Sequence, residues 1–209
     1  MSDAALMRLA GAIAAGDEAG VAGMLAQEPL LARTPLRHGA SRQAGQAYYF
    51  EEIGHHAYAG GTALHVAAAA HRHEIARRLL ALGADVRSAN RRGGEPLHYA
   101  ADGMPVAHTW DPAAQAATIA CLIEAGADPN AADKGGATPL HRAARASCAA
   151  AVQALLEGGA DPRRMNRHGS TPLLLATQNT GRGGFGSPQA KAQRSLIADL
   201  LQGALGRKP

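Results

Sequence analysis

The stretch Ala137-Thr138-Pro139-Leu140-His141 opens the segment Gly136–Asp161, from which the rest of this 209-residue chain can be read. Its core returns as Thr62-Ala63-Leu64-His65, Glu95-Pro96-Leu97-His98 and Thr171-Pro172-Leu173-Leu174, at starts 33, 43 and 33 residues apart. A second element, Gly-Ala-Asp, recurs in phase at Gly83, Gly126 and Gly159. The two landmarks stand 21 residues apart in the first and third units and 31 apart in the second, which therefore carries ten extra residues. Self-similarity at this period marks a stack of like units. The local chemistry agrees. Thr138 is placed to cap a helix whose first turn takes Pro139, where a missing N–H costs nothing. Ala143 and Ala144 let neighbouring helices approach closely, and Gly126 and Gly159 stand where a helix must stop with positive φ.

These residues resemble the ankyrin repeat: a finger, a Thr-Pro-Leu-His helix start, an Ala-Ala pair, a second helix with a Leu-Leu-type run, then Gly-Ala-Asp. The resemblance implies an all-α repeat solenoid with short β-hairpin fingers, a single domain over residues 1–209. It implies that His65, His98 and His141 bond backbone and tie one turn to the next. It also implies that the positions of Val66, Tyr99, Arg142 and Leu175 line a concave face where partners bind. Residues 4–32 read as an N-terminal capping helix pair, with Leu6, Leu9, Ile13, Val21, Met24 and Leu25 at helical spacing and Asp17 as a cap. Repeats follow at 61–90, 91–133, 134–166 and 167–204, with insertions near 103–112 and 181–190. A closing helix is expected around Lys191–Leu201, with Asp199 on its solvated face. Residues 33–60 form a long connection outside the repeat; its Tyr48-Tyr49-Phe50 supplies apolar area worth burying and argues for folded structure.

Bulk composition excludes several classes. The formal charge of +4 and pI near 9.4 fall short of a dedicated nucleic-acid binder. Cys121 and Cys148 make no disulfide framework, and a reducing, cytoplasmic setting is expected. The first residues lack a signal-peptide pattern, and no stretch approaches the roughly 18 apolar residues of a membrane span. A monomer is expected, with no membrane and no nucleic acid among its partners.

Candidate chemistry is sparse. Gly181-Arg182-Gly183-Gly184 lacks the strand and the Lys-Ser/Thr of a phosphate loop and reads as a glycine-rich insertion. No nucleophile–base arrangement can be assembled, so neither catalytic residues nor a cofactor is expected. Beyond the motif histidines, His38, His55, His56, His71, His73, His108 and His168 read as solvated surface groups, without the paired spacing of a metal site. The expected function is a non-catalytic scaffold for a protein partner with an acidic surface. The residues assigned to binding, on finger tips and concave face, are Tyr58, Arg91, Arg92, Tyr99, Lys134, Arg142, Arg145 and Arg167. Flanking Arg87, Arg163 and Arg164 extend the basic row. The competing reading is an enzyme, or a metal- or small-ligand-binding protein, built from the insertions. For it, Tyr99, Asp102, His108 and Trp110 are expected to line a pocket.

Overall fold

The computed structural model describes residues 3–103, 110–178 and 188–206. Helices α1 (Asp3–Ala15) and α2 (Glu18–Gln27) form the first pair. The Asp17 carboxylate caps α2 by accepting from the Gly20 N–H at 2.8 Å. Leu6, Leu9, Ile13, Val21 and Leu25 are buried on the shared face, and Met24 is half-buried at its edge.

Four helix pairs follow: α3 (Ala63–Ala69) with α4 (His73–Ala81), and α5 (Pro96–Ala101) with α6 (Pro112–Glu124). The last two are α7 (Pro139–Ala146) with α8 (Ala149–Glu157), and α9 (Pro172–Thr177) with α10 (Pro188–Gly206). The first helix of each pair stacks into an inner row, α1–α3–α5–α7–α9, and the second into an outer row, α4–α6–α8–α10. Equivalent positions fill the core: Leu64, Leu97 and Leu140 in the inner row, Leu79, Leu122 and Leu155 in the outer, all 0% exposed. Each such leucine contributes about 1.5–3 kcal/mol by leaving water. Ala67-Ala68, Ala100-Ala101 and Ala143-Ala144 are fully enclosed where the rows meet.

The motif histidines join the units. The Nδ1 of His65 accepts from the Thr62 N–H (3.1 Å), and its Nε2–H donates to the Gly94 carbonyl of the next unit (3.0 Å). His98 does the same from Glu95 N–H to the Ala137 carbonyl, and His141 from Thr138 N–H to the Ser170 carbonyl. Each ring is thereby fixed as the neutral Nε2–H tautomer. Burial pushes the pKa of His65 and of His98 down to about 4, and also lowers that of His141.

The helix ends fall as the motif requires. Gly83, Gly126 and Gly159 have φ of 83°, 95° and 90°. The turn between inner and outer helix is left-handed at His71 (φ 53°) and at the equivalent Ser147 (φ 61°). In the second unit the chain leaves the helix earlier, at Asp102 (φ −77°, ψ 147°). Helix α10 runs longer than expected, from Pro188 through Gly203-Ala204-Leu205. In the other units an aspartate closes the turn after the glycine: Asp85, Asp128 and Asp161 each accept from the N–H two residues on. Leu205 stands where that aspartate would, and the helix continues.

Residues 33–60 are folded. Strand β1 (Tyr49–Phe50) pairs antiparallel with β2 (His55–His56), flanked by 3₁₀ turns at Gln46–Tyr48 and Glu51–Ile53. The leading segment runs beside the first finger, with Leu36 N–H on the Gly61 carbonyl and Ala40 N–H on the Ala57 carbonyl, both 2.8 Å.

Candidate partner-binding surface

Three fingers are closed by a side chain five residues before the capping Glu95, Thr138 or Thr171. The Oδ1 of Asn90 accepts from the N–H of Arg92 and Gly94, that of Asp133 from Gly135 and Ala137, and that of Asn166 from His168 and Ser170. These residues carry the repeat's own 43- and 33-residue spacing and were not singled out in the sequence reading. Neighbouring fingers are then bonded in file: Arg91 N–H to the Ala59 carbonyl (2.7 Å), Lys134 N–H to Arg92 (3.0 Å), Arg167 N–H to Gly135 (3.0 Å). The approach is close. A Cβ on Gly93 would lie 2.8 Å from Lys134 N, and one on Gly136 2.8 Å from Arg167 N. Arg91, Arg92, Lys134 and Arg167 are all exposed along this edge.

At the first finger the row is reinforced by aromatic contact. The Tyr58 hydroxyl accepts from Arg92 Nη1 (2.9 Å), and the Arg91 and Arg92 guanidinium carbons lie 5.4 and 5.0 Å from its ring centroid. Arg91 Nη2 also donates to the Ala40 carbonyl of the connection. The flanking arginines are used differently. Arg87 donates to the Gly126 carbonyl and Arg163 to Leu205, each tying a turn to the following unit, while Arg164 donates to Asn130 of the preceding one.

On the concave face, Tyr99 and Arg142 lie beneath the surface rather than on it. Tyr99 is 6% exposed; its hydroxyl accepts from Asn90 Nδ2 at 2.6 Å, and its ring packs edge-on against His65 and tilted against His55. Burial pushes the phenol up to about 12. The physical reason for its enclosure is the β1–β2 hairpin, which lies across Leu6, Val66, Ala69 and Tyr99 and places Phe50 and His55 on them. The gap beneath it is an apolar cavity of about 20 Å³, enough for about one water.

Arg142 is held by two carboxylates, Nη1 on Asp102 Oδ2 (3.1 Å) and Nη2 on Asp133 Oδ2 (3.0 Å), with its guanidinium carbon 5.7 Å from the Tyr99 centroid. Burial disfavours its charge, but Asp102 and Asp133 outweigh this and raise its pKa. Burial likewise works to raise Asp133; the Arg142 bond and the finger N–H groups overcome it and hold the carboxyl below its ordinary value. Arg145, a third exposed, reaches Asp102 at 3.8 Å.

The expected pocket residues separate. Tyr99 lines the cavity under the hairpin, whereas Asp102 and Trp110 belong to the second unit's turn, and His108 lies outside the described residues. Gln115, buried and unremarked in the sequence reading, organises that turn. Its Nε2 donates to the Ala100 and Asp102 carbonyls, and its Oε1 accepts from the Trp110 indole (3.0 Å). Trp110 is half-buried against the core. His71, expected in solvent, is half-buried and donates from Nε2 to the Asp102 carbonyl (3.1 Å); burial lowers its pKa. Cys148 is buried beside Gly103, its thiol pushed up to about 12 by burial, and both Cys121 and Cys148 are free. Among the described residues no three His, Cys, Asp or Glu side chains cluster as metal ligands. No helix among them is long and apolar enough to cross a membrane.

Two family models match the chain: ankyrin repeats (3 copies) over residues 32–108 and ankyrin repeats (many copies) over 122–176, together more than half of its length. The chain belongs to the ankyrin-repeat family. Ankyrin repeats are in general protein–protein interaction modules. No curated protein matches this ankyrin-repeat chain.

Proposed function

We propose that this ankyrin-repeat protein is a non-catalytic scaffold that holds a protein partner with an acidic surface. Recognition runs along the finger-tip edge, Arg91, Arg92, Lys134 and Arg167, and onto the concave face beyond the hairpin, where Arg145 and Leu175 are partly exposed. The observation that carries this reading is the backbone bonding of successive fingers, which brings cations from three units into one file. A file of fixed cations attracts an acidic surface, speeds encounter and sets register more than it adds affinity.

The test is capture of the partner by the intact chain and by a Lys134→Glu/Arg167→Glu variant. Both side chains are exposed, and changes there leave stability within about 1 kcal/mol. Capture by the wild type should be lost in the variant and should weaken with salt. Equal capture by both, at unchanged melting temperature, would show that the edge does not recognise the partner.

A further inference from the structure

The connection and the first two fingers enclose a groove that the repeat alone does not make. It has a volume of about 420 Å³, within the roughly 300–1,000 Å³ of small-ligand sites. Arg42 enters from the connection, Arg91 and Arg92 from the second finger, and Tyr58 with His56 form the wall between them. No aspartate or glutamate lines it. Among the described residues none of the three arginines is paired with a carboxylate.

The arginines are positioned rather than loose. Arg91 is anchored on the Ala40 carbonyl, Arg92 on the Tyr58 hydroxyl, and both guanidinium groups sit over the Tyr58 ring. His56 packs on the other side, 4.7 Å from the Tyr49 centroid and 6.2 Å from that of Tyr58. A guanidinium carries five N–H donors, and the contacts above take one each from Arg91 and Arg92. What remains is a set of planar forks beside an aromatic ring, in a groove without a countercharge. Such forks match carboxylates bidentately.

We propose that this groove takes an acidic segment of the partner protein, a short extended run of Asp or Glu residues. Its carboxylates lie on Arg42, Arg91 and Arg92. The proposal rests on the scaffold reading and names the chemistry of the partner at one place. A peptide is favoured over a nucleic acid by size. A nucleic-acid track neutralises on the order of six to ten phosphates, whereas this groove offers three arginines and closes against the connection.

The probe is a fluorescein-labelled hexaglutamate peptide, read by anisotropy, with hexaglutamine and a six-nucleotide oligothymidylate as comparisons. Hexaglutamate should bind, weaken with salt, and bind roughly tenfold less tightly to Arg42→Gln/Arg92→Gln, about 1.4 kcal/mol. Lys134→Gln/Arg167→Gln should bind it within about twofold of wild type, because those side chains lie outside the groove. Arg42 is exposed, so Arg42→Gln alone folds, and an expected loss of about threefold keeps the test decisive if the double variant is unstable. Unchanged binding by Arg42→Gln overturns the proposal. So does equal binding of hexaglutamine, or tighter binding of the oligothymidylate. Should the groove variants bind normally while Lys134→Glu/Arg167→Glu still abolishes capture, the groove is refuted and the scaffold reading stands.

Discussion

Glu95 stands where the other units have threonine, and its chemistry is worse. It completes the capping box with His98, accepting from the His98 backbone N–H while His98 Nδ1 accepts from its own. Among the described residues its Oε2 is buried without a partner, and burial raises its pKa. A group whose folded pKa is raised in this way contributes less stability as pH rises through that value. Threonine supplies the same capping oxygen without the second, orphaned one. Glu95→Thr should therefore raise stability at neutral pH by about 1 kcal/mol, seen as a higher denaturation midpoint with an unchanged slope. An equal or lower midpoint would show that the carboxylate is better satisfied than its surroundings indicate. The cap position itself was legible in the sequence because threonine or glutamate recurs three residues before histidine. The cost of Glu95 was not, since it depends on which carboxylate oxygen is enclosed.

At the scale of the element, the glycines separate two kinds of cost. Gly159 (φ 90°) ends α8 with open space around a would-be Cβ, so a substitution there meets backbone strain alone. Gly159→Val should cost about 1–3 kcal/mol. Gly136 (φ 75°) adds a collision, since its Cβ would press on the Arg167 N–H that bonds the next finger. Gly136→Ala should cost more than Gly159→Ala, and thermal melts of the two alanine variants decide it; the reverse order would contradict the finger stacking. Gly159 was legible through its place in Gly-Ala-Asp. The collision at Gly136 was not, because it arises between units. The same division holds across the surface. Helix pairs and caps follow from local periodicity, and the tying role of the histidines from the ankyrin resemblance. Tyr99 and Arg142 stand on the concave face by register, yet the hairpin at 49–56 covers the first and Asp102 with Asp133 neutralise the second. Neither could be read from a repeat pattern, because the covering segment is outside the repeat and the carboxylates come from different elements. The finger-closing residues Asn90, Asp133 and Asn166 did carry a periodic signal.

For the whole molecule, the tying histidines make stability a function of pH. His65 and His98 have folded pKa values of about 4 against an ordinary value near 6.5. Above pH 6.5 both states hold them neutral and nothing changes. Between about 6.5 and 4 the unfolded chain binds protons that the folded chain refuses, so stability falls as pH falls and levels off below 4. The loss should approach about 3 kcal/mol per histidine at pH 4. Denaturation midpoints measured from pH 7 to 4 should drop steeply, and His98→Gln should remove part of the drop. A midpoint that is flat across this window would mean that the rings are protonated in the folded state. Because each unit touches only its neighbours, losing these ties loosens the stack at its joints rather than melting one central core.

The single tryptophan gives that behaviour a voice. Trp110 lies half-buried at the join of the second and third units, its indole bonded to Gln115, and both it and the Cys148 thiol flank Gly103. An indole so placed has its emission tied to one hydrogen bond. Its colour and lifetime therefore belong to a single joint near the middle of the chain. Ellipticity averages over every helix at once. When the two signals are followed on the same sample, any gap between them measures how far the ends of the molecule come apart before its centre does.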